Sequence, residues 1–178
     1  RYLMPPLIAA TSFSDYAQVS RVMAPYFATE GTIAPGSDLA REVAAIAEAA
    51  GSNPKLRAAL ATQFVQDRVS YLMNGMDGGN SLPQSPADTW KLRFGDCKAK
   101  SLMLAAMLEE LGIEAESVLV RTQAGDAVPE MLPAPASFDH VIVRATIDGT
   151  DYWLDGTSRG TRLANMDEVP AFYHGLPL

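Results

Sequence analysis

Apolar residues recur at helical spacing through the first two thirds of the chain and at strand spacing in the last third. Tyr16, Val19, Val22 and Met23 share one face of a first helix, which Ser12 or Ser14 can cap. Residues 38–50, "DLAREVAAIAEAA", predict a second helix stopped by Gly51. A third has the clearest start, with Asn53 as N-cap and Pro54 at the first helical position. Leu56, Leu60, Phe64, Val65, Val69 and Leu72 carry its period forward. The Gly-rich stretch "MNGMDGGNSLPQS" breaks the pattern, and Ser85-Pro86 opens a short helix ending near Leu92. A fifth helix runs from Cys97 to Leu111, almost wholly apolar between Leu102 and Leu108, with Gly112 just past its end.

After Gly112 the period changes. "EAESVLVRT", "SFDHVIVRATI" and "DYWLDGT" alternate or run β-branched, and Asp148-Gly149 marks a tight turn between the last two. Helices first and strands last predict an α+β fold. The N-terminal helices and a central Cys-bearing helix should pack on a C-terminal antiparallel sheet. The Pro- and Ala-rich segment Gln123–Ala136 has no period and reads as a long loop. Residues 1–12 are expected to trail in from a preceding domain or linker, residues 13–165 to form the domain, and residues 166–178 to extend towards a following one.

Composition narrows the functions. The chain has 178 residues, 48% hydrophobic and 20% charged, as an ordinary globular domain does. A net charge of −7 opposes binding to nucleic acid or anionic membranes, which needs clustered Lys and Arg. No apolar run reaches the ~20 residues of a membrane helix. A single cysteine rules out an intrachain disulfide and any multi-cysteine zinc site.

That cysteine, Cys97, follows Gly95-Asp96. With Asp96 as N-cap, Cys97 is the first residue of its helix. Unpaired backbone N–H groups and the positive end of the helix dipole favour the thiolate there and can hold an oxyanion. Lys98 and Lys100 in the same turn oppose the dipole, a local violation of the kind found at functional sites. They could equally reach solvent or a nearby carboxylate, and Cys97 could be a buried core residue. Of the two histidines, His174 sits in the patternless tail and His140 in a strand. A two-residue turn at Asp148-Gly149 sets Ile142 opposite Asp155 and His140 opposite Thr157. His140 and Asp155 are then diagonal neighbours on one face, about 7–8 Å apart at the backbone. His140 could be a core histidine bonded to backbone and Asp155 a strand-end turn residue, but together with Cys97 they fit a nucleophile, base and orienter set.

The segments "RFGDCKAKSLMLAAMLEELGIEAESVLVRT" and "SFDHVIVRATIDGTDYWLDGT" resemble the transglutaminase-like superfamily of papain-type fold, over about Phe64 to Ser158. The resemblance lies in Gly-Asp-Cys opening a helix, His on a following strand and Trp-Leu-Asp on the next. It implies a catalytic triad of Cys97, His140 and Asp155, with no cofactor and no metal. It also implies a bacterial module between flanking domains of an exported protein, and so a periplasmic or otherwise extracytoplasmic site. Three positions depart from the family pattern: Ala99 replaces an acidic residue, Asp139 an Asn and Gly156 a Pro. An oxyanion or substrate-binding side chain is expected upstream, with Tyr71 first, then Gln66 and Trp90.

The expected chemistry is cysteine-dependent acyl transfer on a peptide or protein amide through a thioester. Hydrolysis is favoured over transglutaminase-type cross-linking because water is the default acceptor. The Asn74–Ser85 and Gln123–Ala136 loops would form the cleft rims. The alternatives are a non-catalytic binding or scaffolding module on the same fold, and a zinc site built from the same three side chains. The substrate, the acceptor and the oligomeric state are not legible in the sequence.

Overall fold

The computed structural model describes residues 8–72 and 82–178. In chain order its elements are α1 (Tyr16–Met23), α2 (Asp38–Ala50), α3 (Pro54–Arg68), β1 (Ser70–Tyr71), α4 (Pro86–Leu92), β2 (Phe94–Gly95), α5 (Cys97–Glu110), β3 (Glu114–Val120), β4 (His140–Ile147), β5 (Thr150–Leu154) and β6 (Gly175–Pro177). The fold is α+β. A four-stranded antiparallel sheet, in the order β5-β4-β3-β6, packs on one side of α5. Helices α3 and α4 pack against α5 as well, and α2 covers α3.

The apolar run of α5 explains this arrangement. Every residue from Cys97 to Leu108 is buried, so the helix must be covered all round. Leu111 ends it, and Gly112 turns the chain at φ +77°, where a side chain would be strained. Asn53, Ser37 and Ser85 cap their helices through side-chain oxygens.

Four expectations need correction. Asp15, not Ser12 or Ser14, caps α1, its carboxylate accepting from Gln18 N–H at 2.6 Å. Val22 is exposed, because α1 buries only the Val19 and Met23 side. The third helix stops at Arg68, and its buried face is Ala58, Ala59, Ala61, Thr62, Val65 and Gln66. Small residues let α3 approach α5 closely, leaving Leu56, Leu60 and Phe64 half-buried at the margin. The chain then becomes extended, and Ser70-Tyr71 pairs in parallel with Phe94-Gly95 just before Cys97. Finally, residues 175–177, read from the sequence as part of an outgoing extension, fold back as the edge strand of the sheet. They pair Val118 with Pro177 and Val120 with Gly175. Three residues are too short for a strand period to be visible.

The β4–β5 turn is the one the sequence requires. Asp148 and Gly149 both have positive φ, and Ile147 pairs with Thr150 and Val143 with Leu154. Of the described residues, no helix is long and apolar enough to cross a membrane.

Candidate active site

Asp96 accepts from Ala99 N–H at 3.0 Å, which caps α5 and fixes Cys97 at its first position. The thiol is 5% exposed and belongs to a buried cluster with Val19, Met23, Leu102, Val128, Phe138 and Val141. Ser101, one turn along α5, donates to Val141 O at 2.9 Å and ties the helix to the strand carrying the histidine.

His140 begins β4 opposite Val120 and is 6% exposed. Its Nε2 lies 2.9 Å from Asp155 Oδ2. That leaves Nδ1 as the ring nitrogen available to the thiol. Asp155 Oδ1 accepts from both the backbone N–H and the hydroxyl of Thr157, each at 2.7 Å. Phe172 meets the imidazole edge-on, its ring centroid 5.9 Å away. The structure thus brings His140 and Asp155 into hydrogen-bonding contact on one face, although the β4–β5 ladder ends at Leu154.

The electrostatics follow from this packing. Burial disfavours a charged imidazole, but hydrogen bonds and negative charge from Asp155 and Cys97 outweigh it and lift His140 to about 9. Burial likewise disfavours the Asp155 carboxylate; His140 and Thr157 overcome this and hold it below the ordinary range. The pairing with Asp155 thus favours the charged form of both partners.

Of the two readings of the lysines, Lys98 follows the one in which a nearby carboxylate takes it, and Lys100 turns to a backbone carbonyl. The Lys98 ammonium is fully buried on Asp96 Oδ2 at 2.5 Å, and Lys100 donates to Val69 O. Burial brings Lys100 down to about 8, with Asp155 opposing the fall.

The three upstream candidates separate. Tyr71 is 40% exposed on β1, beside the strand that leads into Cys97. Its phenol is pushed up to about 12, first by burial and then by the charges of Cys97, Asp155 and Asp96. Gln66 is buried, and its amide is engaged by residues 155–161, so it is not free to meet an oxyanion. Trp90 is buried in the helical core against Phe64, with ring centroids 4.9 Å apart, in a different cluster from Cys97. Its distance along the chain from Cys97 gave no warning, because only the packed structure shows that its ring packs on Phe64 of α3.

Thr157 and Phe172 were missed. A Thr two residues after an Asp is a known turn signal, the carboxylate accepting from the second N–H on. Phe172 had no signal, since its position depends on β6 returning to the sheet. Of the expected rims, Asn74–Ser81 lies outside the described residues. The Gln123–Ala136 loop is anchored by Tyr16 Oη to Val128 O at 2.8 Å and by Thr11 Oγ1 to Pro133 O at 2.6 Å. The three departures are structurally accommodated. Ala99 leaves the cap to Asp96 alone, Asp139 accepts from Thr122 N–H at 2.7 Å, and Gly156 packs closely on Val65 and Lys100.

Comparison with solved structures bears on the fold alone, which resembles that of two solved proteins. A candidate protease from Parabacteroides distasonis superposes with a TM-score of 0.64 at 14% identity, over 81% of this chain and 27% of that one. A structure described as a TGase superposes with a TM-score of 0.51 at 15% identity, over 82% of this chain and 41% of that one. This chain therefore spans well under half the length of either neighbour. No family model matches the chain, and no curated protein matches it by sequence.

Proposed function

We propose that the domain catalyses acyl transfer on amide bonds through a thioester at Cys97. The observation that carries this reading is the 2.9 Å His140–Asp155 hydrogen bond beside a cysteine at the first position of the central helix. In this reading the Cys97 thiolate attacks the amide carbonyl carbon. The tetrahedral oxyanion is met by backbone N–H at the start of α5, with the Tyr71 hydroxyl as a second donor. A phenol with its pKa near 12 keeps its proton and can donate throughout the neutral range. The C–N bond then breaks, and the His140 imidazolium gives its proton to the departing amine or ammonia. Water attacks the thioester, His140 takes its proton, and the acid leaves as the thiolate is restored.

Hydrolysis is the favoured outcome, with a primary amine as the competing acceptor. Only 5% of Cys97 is exposed, so a substrate must be slender at the scissile bond or the rim must part. Intact-mass spectrometry with a library of peptide carboxamides tests this. An acyl adduct on Cys97 and release of ammonia or amine are expected, both lost in Cys97→Ala. Adding a simple alkylamine partitions hydrolysis from transfer. No adduct and no release from any library member would leave a binding module on this fold.

A further inference from the structure

The β4–β5 ladder stops at Leu154, so no strand pairing fixes the next residue, Asp155. Its carboxylate must nevertheless hold one oxygen on His140 within a hydrogen bond's tolerance. The tether comes from a different layer of the fold. Gln66, in the last full turn of α3, is 7% exposed and reaches residues 155–161 with its whole amide. Nε2 lies 2.8 Å from Asp155 O, 2.8 Å from Thr161 Oγ1 and 3.0 Å from Ser158 Oγ. Thr161 N–H donates to Oε1 at 3.1 Å. An N–H donor at Oε1 and a carbonyl acceptor at Nε2 allow only one orientation of the amide. Ser158 also donates to Asp155 O, at 3.0 Å, so that carbonyl is held from both sides.

We propose that Gln66 is a positioning residue for the triad: by fixing the Asp155 carbonyl to helix α3 it sets where the Asp155 carboxylate meets His140. Thr157 then rotates the carboxylate, occupying Oδ1 and leaving Oδ2 for the ring. Helix α5 completes the cradle, because a Cβ at Gly156 would stand 3.3 Å from Val65 Cγ1 and 3.5 Å from Lys100 Cβ. The Asp155 backbone is thereby held against α3 and α5, the second of which carries Cys97. The inference rests on the triad reading above, and a misplacement of the acid by about 1 Å would cost about 10²-fold in rate.

The groups facing His140 are Asp155, Cys97 and Phe172, and none of them is altered by changing Gln66. The test is therefore Gln66→Met, read by the His140 titration in NMR and by kcat and KM separately. A fall in the His140 midpoint from near 9 and a large loss in kcat at little-changed KM are expected. Thr161→Val removes one Gln66 partner but spares the Asp155 contact, and should leave the midpoint in place. If Gln66→Met does not fold, Gln66→Asn keeps an amide one methylene too short to reach the carbonyl and should show the same fall. An unchanged His140 midpoint in a folded Gln66 variant, or an equal fall in Thr161→Val, overturns the positioning role. If the midpoint falls in Gln66→Met but the unaltered protein never acylates, positioning stands and acyl transfer fails.

Discussion

Replacing Asp155 with Asn removes the carboxylate charge from a buried imidazole and should make the stability deficit of the variant depend on pH. His140 has an ordinary value of 6.5 and stands at about 9 in the fold. A group whose pKa is raised on folding stabilises the folded state fully below its unfolded value. It loses that contribution as pH rises through its folded one. The interval corresponds to about 3 kcal/mol, to which Asp155 and Cys97 both contribute through their hydrogen bonds to the ring. The deficit of Asp155→Asn should therefore be largest near pH 6 and shrink towards pH 10. Lys100, at about 8, gains folded stability over the alkaline range, but it is present in both proteins and largely cancels in the difference. Urea unfolding of both proteins at pH 6 and pH 10 gives the numbers, and NMR of His140 in a His174→Gln background gives the titration directly. A deficit equal at both pH values would show that Asp155 acts through packing or backbone geometry, and the ion-pair account would fall.

Further outcomes are open to measurement. Tyr71→Phe should lower kcat by roughly 10²-fold with little change in KM, as loss of one oxyanion donor does; an unchanged kcat removes Tyr71 from that role. Gly156→Ala crowds Val65 and Lys100 at 3.3–3.5 Å and should cost about 1 kcal/mol by chemical denaturation while also lowering activity. Lys100→Met removes a buried ammonium whose carbonyl partner is its only hydrogen bond among the described residues. It should abolish the gain in stability that the unaltered protein shows, apart from His140, as pH rises from about 8. Cys97→Ser should lower the His140 midpoint, because the Cys97 side chain is one of the two groups that raise it.

Local chemistry was legible in the sequence where it is decided within a few residues. The caps at Asn53, Ser85 and Asp96, the stop at Gly112 and the turn at Asp148-Gly149 all depend on side chains and φ angles of immediate neighbours. The turn in turn determined the β4–β5 register, since a two-residue loop leaves one pairing, and so placed His140 and Asp155 on one face. The apolar run of α5 likewise required a fold that surrounds it.

Only the tertiary structure decided what lies around that pair. Alanines on α3 bury as well as leucines when the helix must come close, so periodicity of large residues found Val65 and Val69 but otherwise marked the margin of the buried face rather than its centre. Residues 175–177 carry no strand signal and join the sheet because β3 offers an unpaired edge, bringing Phe172 onto His140. Lys98 meets a carboxylate two residues away, but the acceptor of Lys100, the Val69 carbonyl, comes from the end of α3 and exists only once the layers pack. Gln66 and Trp90 were equivalent as polar candidates upstream. Packing separated them, directing one to the Asp155 backbone and the other into the core, because hydrogen-bond partners distant in sequence exist only once the layers have assembled.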